Sequence, residues 1–221
     1  GLPDSASITN VMSSIEGIAT GVIGEGVAAN YSEADGWQGS LTNMSPLSGY
    51  WVKVDNACSL CISDATPTDP SILFELHTGA NLVSFPVDGS VDVSSGLPDD
   101  IEGFISGIIG EGVATNNMGS MDDCSGTGYA DNCWLGSLSA FNGGTGYWVI
   151  TTESISFSFE LTSLDRLKPT KPKEQTFPDG FDTMQSTQQA FYFVSEINSN
   201  SAYNLNDGWI ISYQNGFITG S

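Results

Sequence analysis

Residues 15–30 read IEGIATGVIGEGVAAN, and residues 101–116 read IEGFISGIIGEGVATN. Eleven of these sixteen positions are identical. A second block follows each first one: residues 37–52, WQGSLTNMSPLSGYWV, match residues 134–149, WLGSLSAFNGGTGYWV, at eight of sixteen. Two ordered blocks of this kind mark an internal duplication, and the rest of the chain is read around it. Copy two carries eleven extra residues between its blocks, in 117–133.

Each copy reads as mostly β. In copy one Ile8, Val11, Met12 and Ile15 have helical spacing behind Ser7, an N-cap residue, so a short helix is expected. In copy two Gly96 and Pro98 fall in that region, and the helix should be shorter or irregular. Val22-Ile23-Gly24-Glu25-Gly26-Val27 recurs as Ile108-Ile109-Gly110-Glu111-Gly112-Val113 and predicts a hairpin. A type II′ turn wants Gly at its first central position, which puts the tip at Gly24-Glu25 and Gly110-Glu111. The block from Trp37 or Trp134 predicts a strand, a loop of small residues, and a second strand opening Gly-Tyr-Trp-Val. Residues 72–76 and 81–85 predict two strands that lead into copy two. Pro3 aligns with Pro86, so copy one is expected to lack this first strand.

Working outward, residues 64–70 (DATPTDP) form a short linker, and 154–161 (SISFSFEL) alternate as a half-buried strand does. Residues 162–182 hold Arg166, Lys168, Lys171 and Lys173, four of the five cations in the chain, among Pro169, Pro172 and Pro178. Prolines there favour an extended path. Residues 183–221 predict a strand at 190–197 and a hairpin, 209–213 with 217–219, around the turn Asn215-Gly216. A hairpin plus one strand is too little sheet to stand by itself. The expected organisation is a β module at 1–64 lacking its first strand, a linker at 65–70, a second β module at 71–161, a basic Pro-rich linker at 162–182, and a partial third β element at 183–221. The fold class is mostly β, with a short helix in each module.

The 221 residues carry 26 acidic against 5 basic side chains, a net charge of −21. Charged residues are only 14% of the chain, so the imbalance comes from scarce Lys and Arg. Nucleic acid is therefore not an expected partner, since phosphate binding needs clustered cations. Anionic lipid surfaces are disfavoured likewise. At 39% hydrophobic the chain is too apolar for wholesale disorder. No run approaches the ~18 apolar residues of a membrane span, so no membrane insertion is expected. Gly1-Leu2-Pro3-Asp4 shows neither the basic start nor the apolar run of a signal peptide, a start that fits a trimmed secreted chain and a cytosolic one alike.

The order Gly79-x-Asn81-Leu82-Val83-Ser84-x-Pro86, Trp134-x-Gly136 and Gly144-x-Gly146-Tyr147-Trp148-Val149 resembles the GxNLISxP…WxG…GxGYWV modules of large secreted bacterial surface proteins. Asp207-Gly208-Trp209-Ile210-Ile211 with Asn215-Gly216 is similar to a GDWI-type module of the same proteins, here partial. The resemblance implies an extracellular, multi-module, β-rich cell-surface setting and no established catalysis. Copy one departs from it by having Leu47-Ser48 before its GYWV and no Asn-Leu-Val-Ser strand.

Four cysteines allow three pairings. A zinc site of four thiolates lacks paired CxxC spacing, and a thioredoxin-type pair lacks its βαβ setting. Two local disulfides, Cys58–Cys61 and Cys124–Cys133, fit an even count in a secreted chain. Glu16, Glu25, Glu102 and Glu111 recur with their surroundings, which suits turn geometry or an inter-module contact better than an active site needed once. Asp122, Asp123 and Asp131 are weak candidates for Ca²⁺ ligation without a DxDxDG pattern. No other cofactor and no enzymatic activity are expected. His77 reads as a turn residue. Neighbouring strand residues face opposite ways, so Tyr50 and Trp51, and Tyr147 and Trp148, cannot share one core. One of each pair should cover a seam between modules or offer a platform for glycans.

The expectation is an extracellular structural or adhesive protein that self-assembles into a filament or layer by β-strand complementation. Its interface residues would be Leu2, Pro3, Tyr50, Trp51, Tyr147, Trp148 and Trp209, with Arg166, Lys168, Lys171 and Lys173 lying against an acidic module. The alternative is a carbohydrate-binding module of a secreted multi-domain protein.

Overall fold

The duplication is visible in the strand order. The computed structural model describes residues 1–119 and 133–161, and the backbone of 212–214 and 217–220. Copy one contributes β1 (Ala19–Gly24), β2 (Val27–Ser32), β3 (Gly36–Gly39) and β4 (Trp51–Val54). Copy two contributes β5 (Phe74–Leu76), β6 (Gly79–Ser84), β7 (Ser90–Asp92), β8 (Ile105–Gly110), β9 (Val113–Asn117), β10 (Trp134–Gly136), β11 (Ala140–Asn142), β12 (Gly146–Thr151) and β13 (Ile155–Phe157). The first sheet runs β3-β2-β1-β4 and the second β10-β9-β8-β12-β6. The order is the same, with one strand more in copy two. Even the irregularity is shared: β1 slips register against β4 at Ala19/Gly21, and β8 slips against β12 beside Ile150/Thr151.

The helical region behaves as the prolines and caps dictate. Ser7 accepts a hydrogen bond from the Asn10 amide at 3.3 Å and starts α1 (Ile8–Val11), which buries Ile8 and Val11. A turn of 3-10 helix, Ser13–Ile15, adds buried Ile15. In copy two the helix breaks into α2 (Val93–Gly96) and α3 (Asp99–Glu102), with Leu97-Pro98 between them.

Both hairpins form, one residue away from the expected tip. Gly24 pairs with Val27 and Gly110 with Val113, so the turns are Glu25-Gly26 and Glu111-Gly112. Positive φ falls on Gly26 (67°) and Gly112 (69°), the second central position, which removes the type II′ reading. Gly24 and Gly110 are needed for another reason. A Cβ there would sit 3.1 Å from the Tyr50 ring or 3.3 Å from the Tyr147 ring.

Two cores follow. Copy two packs Phe74, Phe85, Phe141, Tyr147, Phe157 and Phe159 among aliphatic residues, with Phe141 edge-on to Tyr147 at 5.1 Å between ring centres. β13 pairs with β5 and β11 with β7, closing this core from behind. Residues 155–159 alternate buried and outward, as read from the sequence. Copy one has a smaller core of Ile8, Val11, Met12, Ile15, Val22, Leu41 and Met44 without a phenylalanine. Its counterpart of the β7–β11 ladder is a single bridge, Ser7 opposite Asn43.

Both copies lie in one compact unit, Gly1–Leu167, and Lys168–Ser221 forms a second. In the latter, β14 (Ser212–Gln214) and β15 (Phe217–Gly220) make the expected hairpin, Tyr213 opposite Ile218. The expected strand at 190–197, Trp209 and the turn Asn215-Gly216 lie outside the described residues. No helix among the described residues is long and apolar enough to cross a membrane.

Candidate functional site

The junction of the two copies gathers the polar contacts that the repeat alone does not explain. β6 pairs along its whole length with β12, from Gly146 opposite Ser84 to Thr151 opposite Gly79. Its other edge meets copy one. Gly49 donates its amide to Leu82 O at 2.9 Å, the Ser84 amide donates to Leu47 O at 2.9 Å, and Ser48 stands opposite Val83. Ser84 Oγ also donates to Pro46 O. Only glycine fits this approach: a Cβ on Gly49 would lie 2.8 Å from Val83 O, and one on Gly146 would lie 3.0 Å from Gly49 Cα.

The hairpin tip of copy one closes the junction. Glu25 Oε2 accepts the Leu82 amide at 2.8 Å, and Glu25 Oε1 lies 2.6 Å from His77 Nε2. His77 Nδ1 lies 2.8 Å from Thr78 O. Both ring nitrogens thus face acceptors, which favours the imidazolium. The Thr78 carbonyl, and after it the Glu25 carboxylate, hold the His77 pKa above its ordinary value. The loop that presents His77 is set by Asn81, which is buried. Its Nδ2 donates to His77 O at 2.8 Å and Gly79 O at 3.1 Å, and its Oδ1 accepts the His77 amide at 2.9 Å. Thr151 Oγ1 donates to His77 O at 2.6 Å. The Asn of the Asn-Leu-Val-Ser stretch is therefore a loop clamp.

A neighbouring feature is an edge of β4. Successive strand residues direct their amides and carbonyls to opposite sides. Leu47 and Gly49 point toward β6, and Asp55 donates to Ile18 O on the β1 side at 3.1 Å. Tyr50, Val52 and Val54 point to the other side, where no backbone partner is present among the described residues. In copy two the equivalent Tyr147, Val149 and Thr151 face β6. Side-chain burial follows the pairing: Val149 is 0% and Thr151 3% exposed, whereas Val52 is half-buried and Val54 is 43% exposed. Beside this edge lies a cleft of about 470 Å³, lined by Met12, Met44, Tyr50 and Val52 of copy one and by Phe85 and Val87 of copy two.

The expected interface residues divide. Leu2 accepts the Thr66 amide at 3.0 Å in an isolated bridge, so residues ahead of Pro3 find a partner within the chain; Leu2 and Pro3 are half-buried. Tyr50 and Tyr147 face inward and repeat one bond, their hydroxyl oxygens accepting the Ser45 and Asn142 amides at 2.8 Å. Burial raises the Tyr147 pKa above the usual phenol value. Trp51 and Trp148 sit half-buried on the opposite face, as alternation demands. Arg166, Lys168, Lys171, Lys173 and Trp209 lie outside the described residues, as do Asp122, Asp123 and Asp131.

The cysteine reading needs one correction. Cys58 and Cys61 are exposed free thiols rather than a local disulfide. Ser14 Oγ further accepts the Cys61 amide at 2.9 Å. Cys133 is buried and disulfide-bonded; Cys124, its expected partner, lies outside the described residues.

Of the duplicated glutamates, Glu16, Glu25 and Glu102 serve as hydrogen-bond acceptors, and Glu111 is an exposed turn residue. Glu102, buried, accepts the Trp134 indole N–H at 2.7 Å, while Glu16 accepts the Tyr31 hydroxyl at 3.0 Å. The Trp37 indole nitrogen, equivalent to that of Trp134, is buried without a partner among the described residues. Sequence reasoning missed the joining of Glu25 to His77. Its one signal was Glu25 at a repeated tip. Compared with known proteins, the chain matches no family model, no curated protein and no solved structure.

Proposed function

We propose that the chain is an extracellular structural or adhesive surface protein that self-assembles into a filament or layer, with a neighbouring molecule supplying a β-strand. The observation that carries this reading is the edge of β4 that is unpaired among the described residues, beside a cleft with Met12, Met44 and Phe85 in its lining, at the place where copy two is closed by β6. Unpaired amides and carbonyls next to exposed Val54 are a template for strand addition. The buried, disulfide-bonded Cys133 supports an oxidising compartment. The cations of 162–182 against a chain of net charge −21 add a salt-sensitive attraction between molecules.

Sedimentation of the purified chain over a wide concentration range tests the proposal. Larger species should grow with concentration at low salt, and Val52→Pro, which removes an edge amide, should suppress them. A folded monomer at high concentration and low salt overturns it. The half-buried indoles of Trp51 and Trp148 favour the second reading, glycan binding, and saturable quenching of Trp fluorescence by glycans would support that instead.

A further inference from the structure

The assembly reading says that a strand is taken; the two copies, laid side by side, say which strand. This inference rests on that reading and deepens it. In copy two the inner edge of β12 is covered by β6 in a fixed register: Ser84 opposite Gly146, Val83 opposite Tyr147, Leu82 opposite Trp148, Asn81 opposite Val149. Copy one presents the same residues in the same order, Gly49, Tyr50, Trp51 and Val52, with that edge unpaired among the described residues. Tyr50 repeats the hydroxyl bond of Tyr147, so its side chain already holds the pose that a covering strand meets.

The physical demands on an occupant are specific. In β6 both Leu82 and Val83 are buried, so the occupant needs apolar residues on both faces, unlike an ordinary half-exposed strand. The next residue inward, Phe85, enters the core of copy two. Its counterpart would enter the cleft lined by Met12, Met44 and Val52. The Asn81 amide group donates to Val149 O at 3.4 Å, and Val52 O is the matching acceptor in copy one. We infer that the open edge of β4 binds an antiparallel strand of the type Gly-x-Asn-Leu-Val-Ser-Phe-Pro, with its Val opposite Tyr50 and its Asn opposite Val52. β6 itself is not available, since β12 holds one edge and Leu47–Gly49 with Glu25 hold the other. The occupant is a strand of this sequence type supplied by a neighbouring molecule.

The test is a synthetic peptide of residues 79–87, GANLVSFPV, titrated into the intact chain by fluorescence polarisation. Saturable binding is expected. N-methylation of the peptide at Val83, whose amide faces the acceptor edge in this register, should weaken binding at least tenfold. N-methylation at Leu82, whose amide faces away, should leave it within about twofold. This contrast leaves the protein unaltered, so no folding defect can produce it. A chain variant, Val54→Lys at an exposed position, should also weaken binding. Absence of binding, or equal effects of the two methylations, overturns the inference. Peptide binding by a chain that stays monomeric at every concentration would uphold the strand site and remove self-assembly. Concentration-dependent assembly that the peptide neither joins nor inhibits would do the reverse.

Discussion

Copy one and copy two share strand order, a β-bulge, a glycine hairpin turn and a tyrosine-to-loop bond, yet among the described residues the last sheet strand is paired on both edges only in copy two. The bulge even carries the same hydroxyl contact, Thr20 to Lys53 O at 3.5 Å and Ser106 to Ile150 O at 3.1 Å. What separates them is β6 and the aromatic residues that come with β5 and β13. With these, Val149, Thr151 and Tyr147 are buried; without them, Val52 and Val54 face the cleft and solvent. The lesson is that a sheet module can keep its local geometry whether or not the edge of its last strand is paired. Hairpins and bulges are set by residues near one another in the chain, and burial of a face is not.

The comparison makes the largest prediction in the cores. Phe141 and Met44 occupy equivalent positions, at 0% and 9% exposure. Phe141→Ala should cost about 4 kcal/mol in urea unfolding and Met44→Ala about 2 kcal/mol, because the looser core relaxes more readily. Equal losses would mean that copy one is packed as tightly as copy two. Smaller and sharper is the tyrosine pair. Tyr147→Phe leaves the Asn142 amide without its acceptor in a closed core and should cost about 1–2 kcal/mol. Tyr50→Phe, beside the open cleft, should cost less, since water reaches the Ser45 amide. The same denaturation curves decide it.

The smallest effect lies at the seam between the copies. A raised folded pKa means that the His77 contribution is fully present below the ordinary histidine value of about 6.5 and fades as pH climbs through the raised value. The chain has a single histidine, so its NMR titration is unambiguous. The midpoint should exceed that of an unstructured peptide, and Glu25→Gln should lower it only in part, because the Thr78 carbonyl remains. A midpoint at or below the peptide value would remove the imidazolium from the junction.

Much of this was readable in advance. The alternation of Gly-Tyr-Trp-Val puts tyrosine and tryptophan on opposite faces without any structure, and Ser7 announces its helix. The hairpins were legible, but their tips were not: each carries two glycines, and only strand pairing shows that Gly26 and Gly112 take the positive φ while Gly24 and Gly110 make room for a ring. The Cys58–Cys61 spacing suggested a bridge, and the structure leaves both thiols free.

Taken by itself, the amino-acid order determined the duplication, the mostly-β class, the two hairpins and the residue faces, because periodicity and turn chemistry act over a few neighbouring positions. Only tertiary structure decided that Glu25 reaches His77 and Leu82 across more than fifty residues, that β6 serves β12 on one side and Leu47–Gly49 on the other, and which edge of β4 is left open. Those outcomes depend on which backbones come to lie side by side, and hydrogen-bonding groups common to every residue leave no trace of that choice in the sequence.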